Sequence, residues 1–386
     1  MLCRTTRMAE WKRNQLFRLC CCCIALLASV TSCGRVGPRQ TIDDLITLPV
    51  DTLEALFEIG EEIGESSSIF GSILAAGIDD QGRIFVLDEI ETCLKVYDLQ
   101  GNYIQNVSRR GAGPGELIYP KGMFIMPDGR IGIVSSDKQG YIVFDDSLQF
   151  IEEVSLWPVN SPYHVSALSN TRLVVCRYDE STQTDFVRHT VAIYDWGKAE
   201  WDTLLWKDSM VITIDDCFNN PSIIHRYALL NRQSTASNRN GIVYFAPLDP
   251  FEYRVIGWDS SGTEVLNFTR DLTPVAKSPE EIENEIISVD SAIRTRGSRP
   301  IPGGFRPAPY RNMVINLGIG PDENLWVQRG TLTEPFFDIY DLEGNLLRHA
   351  IFPVDSWSWE TEITPQGVLA WELDPPEGYQ KLYLLK

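Results

Sequence analysis

"VYDLQGNYI", residues 96–104, sets an aspartate and a glycine three positions apart between two apolar runs. An aspartate there can accept amide hydrogens of the turn, and glycine can take the positive φ that a tight turn demands, so the stretch predicts a hairpin. The arrangement returns at "VFDDSLQFI" (143–151), "IYDWGKAEW" (193–201), "GWDSSGTEV" (257–265) and "IYDLEGNLL" (339–347). Its aspartates are Asp98, Asp145, Asp195, Asp259 and Asp341. A second signal, a turn followed by a β-rich run, occurs six times: "QGRIFVLD" (81–88), "DGRIGIVSS" (128–136), "NTRLVVCRYD" (170–179), "NGIVYFAPLD" (240–249), "DENLWVQRG" (322–330) and "QGVLAWELD" (366–374).

Together the two signals predict units of four short antiparallel strands. Such a unit cannot bury both faces alone, and units repeating about every 40–50 residues stack radially into a propeller. The first two steps between aspartates are 47 and 50 residues, while the later steps of 64 and 82 imply insertions. No long amphipathic helix alternates with the strands, which excludes a parallel α/β sheet. The fold class is therefore all-β, a six-bladed β-propeller. After "QGVLAWELD" only "GYQKLYLLK" follows, one strand short of a full blade. An unpaired edge invites aggregation. The run "EALFEIGE" (54–61) is expected to close the ring as the outer strand of the last blade.

The amino terminus reads differently. Arg4, Arg7, Lys12, Arg13 and Arg18 precede a 12-residue apolar run, Leu19 to Val30. A charged start, a short apolar stretch and small residues after it are the layout of a secretory signal, and the run is too short to span a bilayer. "VTSC" (Val30 to Cys33) resembles the lipobox of bacterial lipoproteins, which implies a lipid on Cys33 and cleavage before it. The expected organisation is a signal peptide over 1–32, a lipid-anchored tether over 33–52 and the propeller over 53–386. Met8 offers an alternative start. The body would then be held at a bacterial membrane outside the cytoplasm, expected on the outer membrane, as a monomer.

The whole sequence carries a net charge of −19, and loss of residues 1–32 leaves 29 basic and 52 acidic residues, a net of −23. Such a field repels nucleic acid and anionic lipid headgroups. Three cysteines remain beyond Cys33: Cys93, Cys176 and Cys217. Their number and wide spacing do not make a disulfide framework, though one bridge stays open.

"RRGAGPGEL" (109–117) could be taken for a phosphate loop. A phosphate loop needs a helix directly after its glycines, so that amides and dipole face the anion. Here "ELIYPKGMFIMPDG" follows, broken by Pro120 and Gly122, and no Lys-Ser/Thr ends the loop. It reads as a corner between blades. "RRGAGPGELIYPKG", followed by "PDGRIGIV" and preceded by "VYDLQGNYI", resembles the inter-blade signature of NHL-type repeats. From about Leu53 to Lys386 the chain resembles the six-bladed β-propeller lipoproteins of Bacteroidota-like bacteria. "NTRL" in the third unit departs from the pattern and blurs the strand limits there, as does the fourth unit.

That resemblance implies a ligand site at the channel mouth that carries the inter-blade connections. Three features are expected to converge there. Arg109 and Arg110 precede the glycine corner. "SPEEIENEIISVDSAI" (278–293) has a capping box, Ser278 with Glu281, and an apolar stripe of Ile282, Ile286, Val289 and Ile293, which predicts a helix. "RTRGSRPIPGGFRPAPYR" (294–311) supplies Arg294, Arg296, Arg299, Arg306 and Arg311, with no acidic residue between Ser291 and Pro321. Guanidinium groups bind carboxylates and phosphates through paired hydrogen bonds. Arg109, Arg110, Arg306, Tyr310 and Arg311 are thus the expected ligand contacts, for an anionic glycan, peptide or envelope protein. The same arginines could instead neutralise acidic neighbours.

An enzyme would need a constellation that the sequence does not display. Of four histidines, His164 and His225 fall near inner strands, while His189 and His349 read as outer or edge positions. No cofactor is expected. The alternative is a hydrolase or lactonase with calcium or zinc in the channel, drawing on the oxygens of "DDCFNN" (215–220).

Overall fold

The computed structural model describes residues 48–155, 164–180, 186–196, 198, 200–207, 212–213, 235–295, 306–330, 335–354, 359–373, 375 and 378–386. The signal, Cys33, "DDCFNN", Cys217 and His225 lie outside them.

Six antiparallel sheets make six blades. Blade one is β3 (Ile73–Ile78), β4 (Ile84–Asp88), β5 (Cys93–Tyr97) and β6 (Tyr103–Asn106). Blade two is β7 (Pro120–Ile125), β8 (Ile131–Ser135), β9 (Gly140–Phe144) and β10 (Phe150–Ser155). Blade three is β11 (His164–Ala167), β12 (Arg172–Glu180), β13 (Phe186–Asp195) and β14 (Glu200–Lys207), with β15 (Ile212–Thr213) also pairing with β13. Blade four is β16 (Thr235–Ser237), β17 (Val243–Phe245), β18 (Tyr253–Trp258) and β19 (Glu264–Arg270). Blade five is β20 (Val314–Ile319), β21 (Leu325–Arg329), β22 (Phe336–Tyr340) and β23 (Leu346–Ile351). Blade six is β24 (Trp359–Thr364), β25 (Gly367–Glu372) and β26 (Leu382–Leu385).

The expected closing strand is in place. β2 (Ala55–Ile59) pairs antiparallel with β26 as the outer strand of blade six. An unexpected strand precedes it: β1 (Val50–Thr52), placed by the sequence reading in the tether, pairs in parallel with β23 of blade five. The chain therefore straddles two blades within ten residues.

The turns form as their chemistry dictates. One carboxylate oxygen of Asp98 accepts the amides of Gln100 and Asn102, both at 2.9 Å, and Asp145, Asp259 and Asp341 each accept the same two positions. Gly101, Gly262 and Gly344 hold the left-handed φ, and in blade two Leu148 takes that conformation with its side chain buried. In blade three Ser169 caps the first turn through Thr171 and Arg172 in place of aspartate.

Middle strands are sandwiched between neighbouring blades, so β4, β5, β8 and β9 are buried at every residue, whereas β6 is exposed at every residue. The core is a series of seams. At the closing seam Ile84, Val86 and Tyr97 of blade one meet Leu369, Trp371 and Leu384 of blade six. Arg83 and Arg172 donate to the carbonyls of Asp146 and Ser260 in the next blade, each at 2.7 Å.

His349 stands on β23, the outer of blade five's own four strands, as read from the sequence, but it is not an open edge. β1 covers β23, and His349 lies buried, its Nδ1 2.7 Å from the Asp338 carboxylate. Arg329 binds Asp338 through two nitrogens at 2.9 and 2.8 Å, and Tyr253 of blade four donates to it at 2.9 Å. Burial alone would push the Asp338 carboxyl up, but hydrogen bonds from His349 and Arg329 and the Arg329 and Arg270 charges hold it down, at about 2.

Candidate functional site

The glycine corner fills itself. Arg109 Nε and the Gly113 amide donate to the two carboxylate oxygens of Glu116, at 2.8 and 2.9 Å. The loop's own carboxylate thus faces the amide that an anion would seek, and these bonds hold Glu116 below the usual carboxylate range. Fully buried Leu117 anchors the corner, and the next element is strand β7, with no helix between.

Arg110 donates to Thr92 Oγ1 and the Ile90 carbonyl, at 3.0 and 3.1 Å, tying the corner to the loop between β4 and β5. The helix expected at 278–293 is α1 (Pro279–Thr295). Its capping box is complete, with the Glu281 amide donating to Ser278 Oγ at 3.1 Å and the Ser278 amide to Glu281 Oε2 at 2.7 Å. Arg311 ion-pairs with Glu281 at 2.5 Å. Tyr310 is partly exposed against the Phe251 ring, centroids 5.3 Å apart. Arg306 is exposed and makes no ion pair among the described residues. The side chain of Arg294 and all of Arg296, Arg299 and Phe305 lie outside them.

The five expected contacts are not brought together. Arg109 and Arg110 sit between blades one and two, and residues 306–311 between blades four and five, across a six-bladed ring. Three guanidinium groups already serve protein oxygens. Arg306 and Tyr310 keep their outward faces.

The space the fold does create lies on its axis. Each inner strand touches the next, from β3 through β7, β11, β16, β20 and β24 back to β3, and they enclose a channel of about 730 Å³. Its walls differ in chemistry. Blade one offers Ala75, Ala76 and Gly77, and a Cβ placed on Gly122 of blade two would meet nothing within 4 Å. Blades three and four offer hydroxyls, with Ser166 and Thr235 bonded at 2.9 Å, and His164 Nε2 accepts the Thr235 amide at 3.3 Å. On blade five Asn316 donates to Thr361, and the Thr361 hydroxyl bonds to Gln328. At the mouth formed by the first turns, Arg239 of blade four reaches Asp80 of the opposite blade at 3.9 Å and Glu323 at 3.7 Å. From α1, Glu285 joins the lining, paired with Lys277 at 2.5 Å.

Blade six supplies the acidic wall. Glu360 and Glu362 alternate along β24 and so point to one side, both lining the channel. Glu362 is exposed to the channel space yet surrounded by protein, and this enclosure, with Glu360 adding like charge, pushes its carboxyl up to about 8. Buried Gln328 Nε2 and Trp371 Nε1, both in lining residues, have no hydrogen-bond partner. Sequence reasoning passed over this wall although a signal existed. "WETEIT" (359–364) precedes the second strand of its unit as an inner strand should, and no other inner strand carries an acidic residue.

Among the described residues no group of three or more His, Cys, Asp or Glu could hold a metal ion, and no helix is long and apolar enough to cross a membrane. Cys93 and Cys176 are free and buried, and burial pushes the Cys93 thiol up to about 11.

Six four-stranded sheets around an axial channel define a six-bladed β-propeller. Residues 67–228 match a family described as "6-bladed beta-propeller". No curated protein matches the chain. Among solved structures, a candidate exported protein of Bacteroides fragilis is similar at 12% identity and a TM-score of 0.52, covering 91% of this chain and 98% of its own. Regucalcin of Agrobacterium tumefaciens, a calcium-binding protein, is similar at 12% identity and 0.45, with 87% and 96% covered. A luciferin-regenerating enzyme follows at 9% identity and 0.46, with 86% and 94% covered.

Proposed function

We propose that this protein is a lipid-anchored, extracytoplasmic binding propeller with NHL-type repeats that takes a small ligand into its central channel. The observation that carries the reading is the channel itself. About 730 Å³ suits a small organic ligand, and polar side chains of blades three to six are among its lining residues. The anchor rests on the basic and apolar run ahead of "VTSC", and the exported relative of the same fold agrees with a place outside the cytoplasm. The alternative, a hydrolase or lactonase with calcium or zinc in the channel, draws on "DDCFNN", which lies outside the described residues.

Filling the channel tests the reading. Gly122→Trp starts a bulky side chain from a Cβ position that no atom approaches within 4 Å, so it should fill channel space and abolish channel binding, with the fold checked by circular dichroism. Ligand-induced stabilisation that survives Gly122→Trp overturns the channel as the site. Fatty-acid labelling of the protein should disappear in Cys33→Ser, and persistence of the label removes the anchor.

A second reading has its own observation. Arg306 and Tyr310 stay open to solvent beside Phe251, so an anionic glycan, peptide or envelope protein could be held on that face. Binding to acidic partners that is unchanged in Arg306→Ala would remove it.

A further inference from the structure

A second cavity, of about 320 Å³, is separate from the channel and has no lining residue in common with it. It sits at the junction of blades four and five. Leu272 and Val275 come from the stretch that leaves β19, Arg311 and Met313 from the stretch that enters β20, and Arg329 and Phe336 from the end of β21 and the start of β22. Backbone bonds tie these stretches together, with the Arg311 amide donating to the Val275 carbonyl at 2.9 Å and the Gly330 amide to the Met313 carbonyl at 3.2 Å.

The lining sorts into two kinds. Leu272, Val275, Met313 and Phe336 make an apolar wall, and Arg311 and Arg329 are the charged residues on it, with no carboxylate among the lining residues. Each arginine is fixed by an acid outside the pocket. Asp338 accepts from Nε and Nη2 of Arg329, whose guanidinium lies over the Phe336 ring, 4.7 Å from its centre. Glu281 takes Nη2 of Arg311. A guanidinium has five N–H donors, so one carboxylate leaves part of each unused. Among the described residues neither guanidinium has a further ion pair, and the Arg329 and Arg311 side chains stay 29% and 15% exposed while their carboxylate partners are buried.

This combination selects a ligand class. A metal ion would meet two like charges and no anionic ligand. Inorganic phosphate would use the donors and leave the apolar wall uncovered, and a neutral apolar molecule would do the reverse. A carboxylate on an apolar body answers both, since its two oxygens match the guanidinium edge. We propose that this pocket binds a small hydrophobic carboxylic acid, its carboxylate received by Arg311 and Arg329 and its body by Leu272, Val275, Met313 and Phe336. The inference is independent of what the channel binds. Residues 292–320 contain no Asp or Glu, so this stretch reverses the sign of a chain whose net charge is −19.

The test uses the chain carrying Cys33→Ser, with 3-phenylpropanoate, its neutral amide and acetate as probes at pH 7. The phenyl acid should raise the melting temperature and bind at least about tenfold more tightly than the amide, the difference between a charge-assisted and a neutral hydrogen bond. Acetate, which lacks the apolar body, should bind at least about tenfold more weakly than the phenyl acid. Arg311→Gln, whose amide can still donate to Glu281, should lose the preference for acid over amide. Val275→Trp, at a side chain 48% exposed, should block the pocket and abolish binding of both, and it keeps the inference refutable if Arg311→Gln fails to fold. Gly122→Trp should change nothing here. Absence of binding by the phenyl acid, equal binding of acid and amide, a preference that survives Arg311→Gln, or binding that survives Val275→Trp overturns the inference. So does acetate binding as tightly as the phenyl acid, which would reduce the site to a surface anion contact. Binding lost in Gly122→Trp and kept in Val275→Trp would move the acid to the channel, so that this inference falls while the channel reading stands.

Discussion

Glu54 and Lys386 exchange a reciprocal pair of backbone hydrogen bonds, amide to carbonyl, at 2.9 and 3.1 Å. One residue earlier, the Leu53 amide donates to Ile351 of blade five at 2.8 Å. The N-terminal segment therefore clasps two adjacent blades and covers the edge that β26 would otherwise present. Deleting residues 50–59 should lower the melting temperature sharply and promote aggregation through the uncovered strand, read by light scattering during unfolding. Ile59→Ala, at a side chain buried in the closing seam, should cost about 2–4 kcal/mol in denaturant unfolding.

The blade-one corner depends on Gly115, whose φ is +73° and whose added Cβ would stand 3.1 Å from the Phe150 ring. Gly115→Ala should lose about 1–2 kcal/mol of stability. Gln139, exposed at φ +50°, has no such packing constraint, so Gln139→Gly should be neutral or slightly stabilising in the same measurement.

Asp338 gives the fold an acid limit. Its native carboxyl titrates near 2, below its ordinary 3.8, so the stabilisation is complete above about pH 4 and is lost as the pH falls toward 2. At 1.36 kcal/mol per unit the contribution is about 2 kcal/mol, as this carboxylate is fully buried. Asp338→Asn should flatten stability between pH 4 and 2. His349→Ala should cost about 3 kcal/mol at pH 7 by leaving the buried carboxylate short of a partner.

Glu362 works in the opposite direction. A carboxyl raised from 4.5 to about 8 stays protonated in the native chain after the unfolded chain has released its proton. Stability should therefore decline as the pH rises from about 4.5 to 8 and level off above that. Glu362→Gln should leave the melting temperature unchanged at pH 4.5 and raise it at pH 8.

Loss of the helix cap should be local. Ser278→Ala removes one half of the reciprocal pair with Glu281 and should cost about 1 kcal/mol. Because Glu281 also holds Arg311, hydrogen exchange should rise over α1 while blade one stays protected.

The sequence by itself determined the blade count, the closing strand and α1, because each rests on short-range chemistry. Asp98 caps its own turn, Ser278 its own helix, and the apolar runs of β4 and β5 are long enough to declare burial on both faces. The site needed the tertiary structure. Whether Arg311 is free depends on Glu281 folding back upon it, and whether Arg110 is free depends on Thr92, eighteen residues away. Glu360 and Glu362 look like ordinary strand polar residues until closure of the ring turns β24 toward the axis. Burial of His349 depends on β1 crossing from the other end of the chain. Such contacts are set by the packing of blades distant in sequence; only the acidic wall had a local signal, in the place of "WETEIT" ahead of the second strand of its unit.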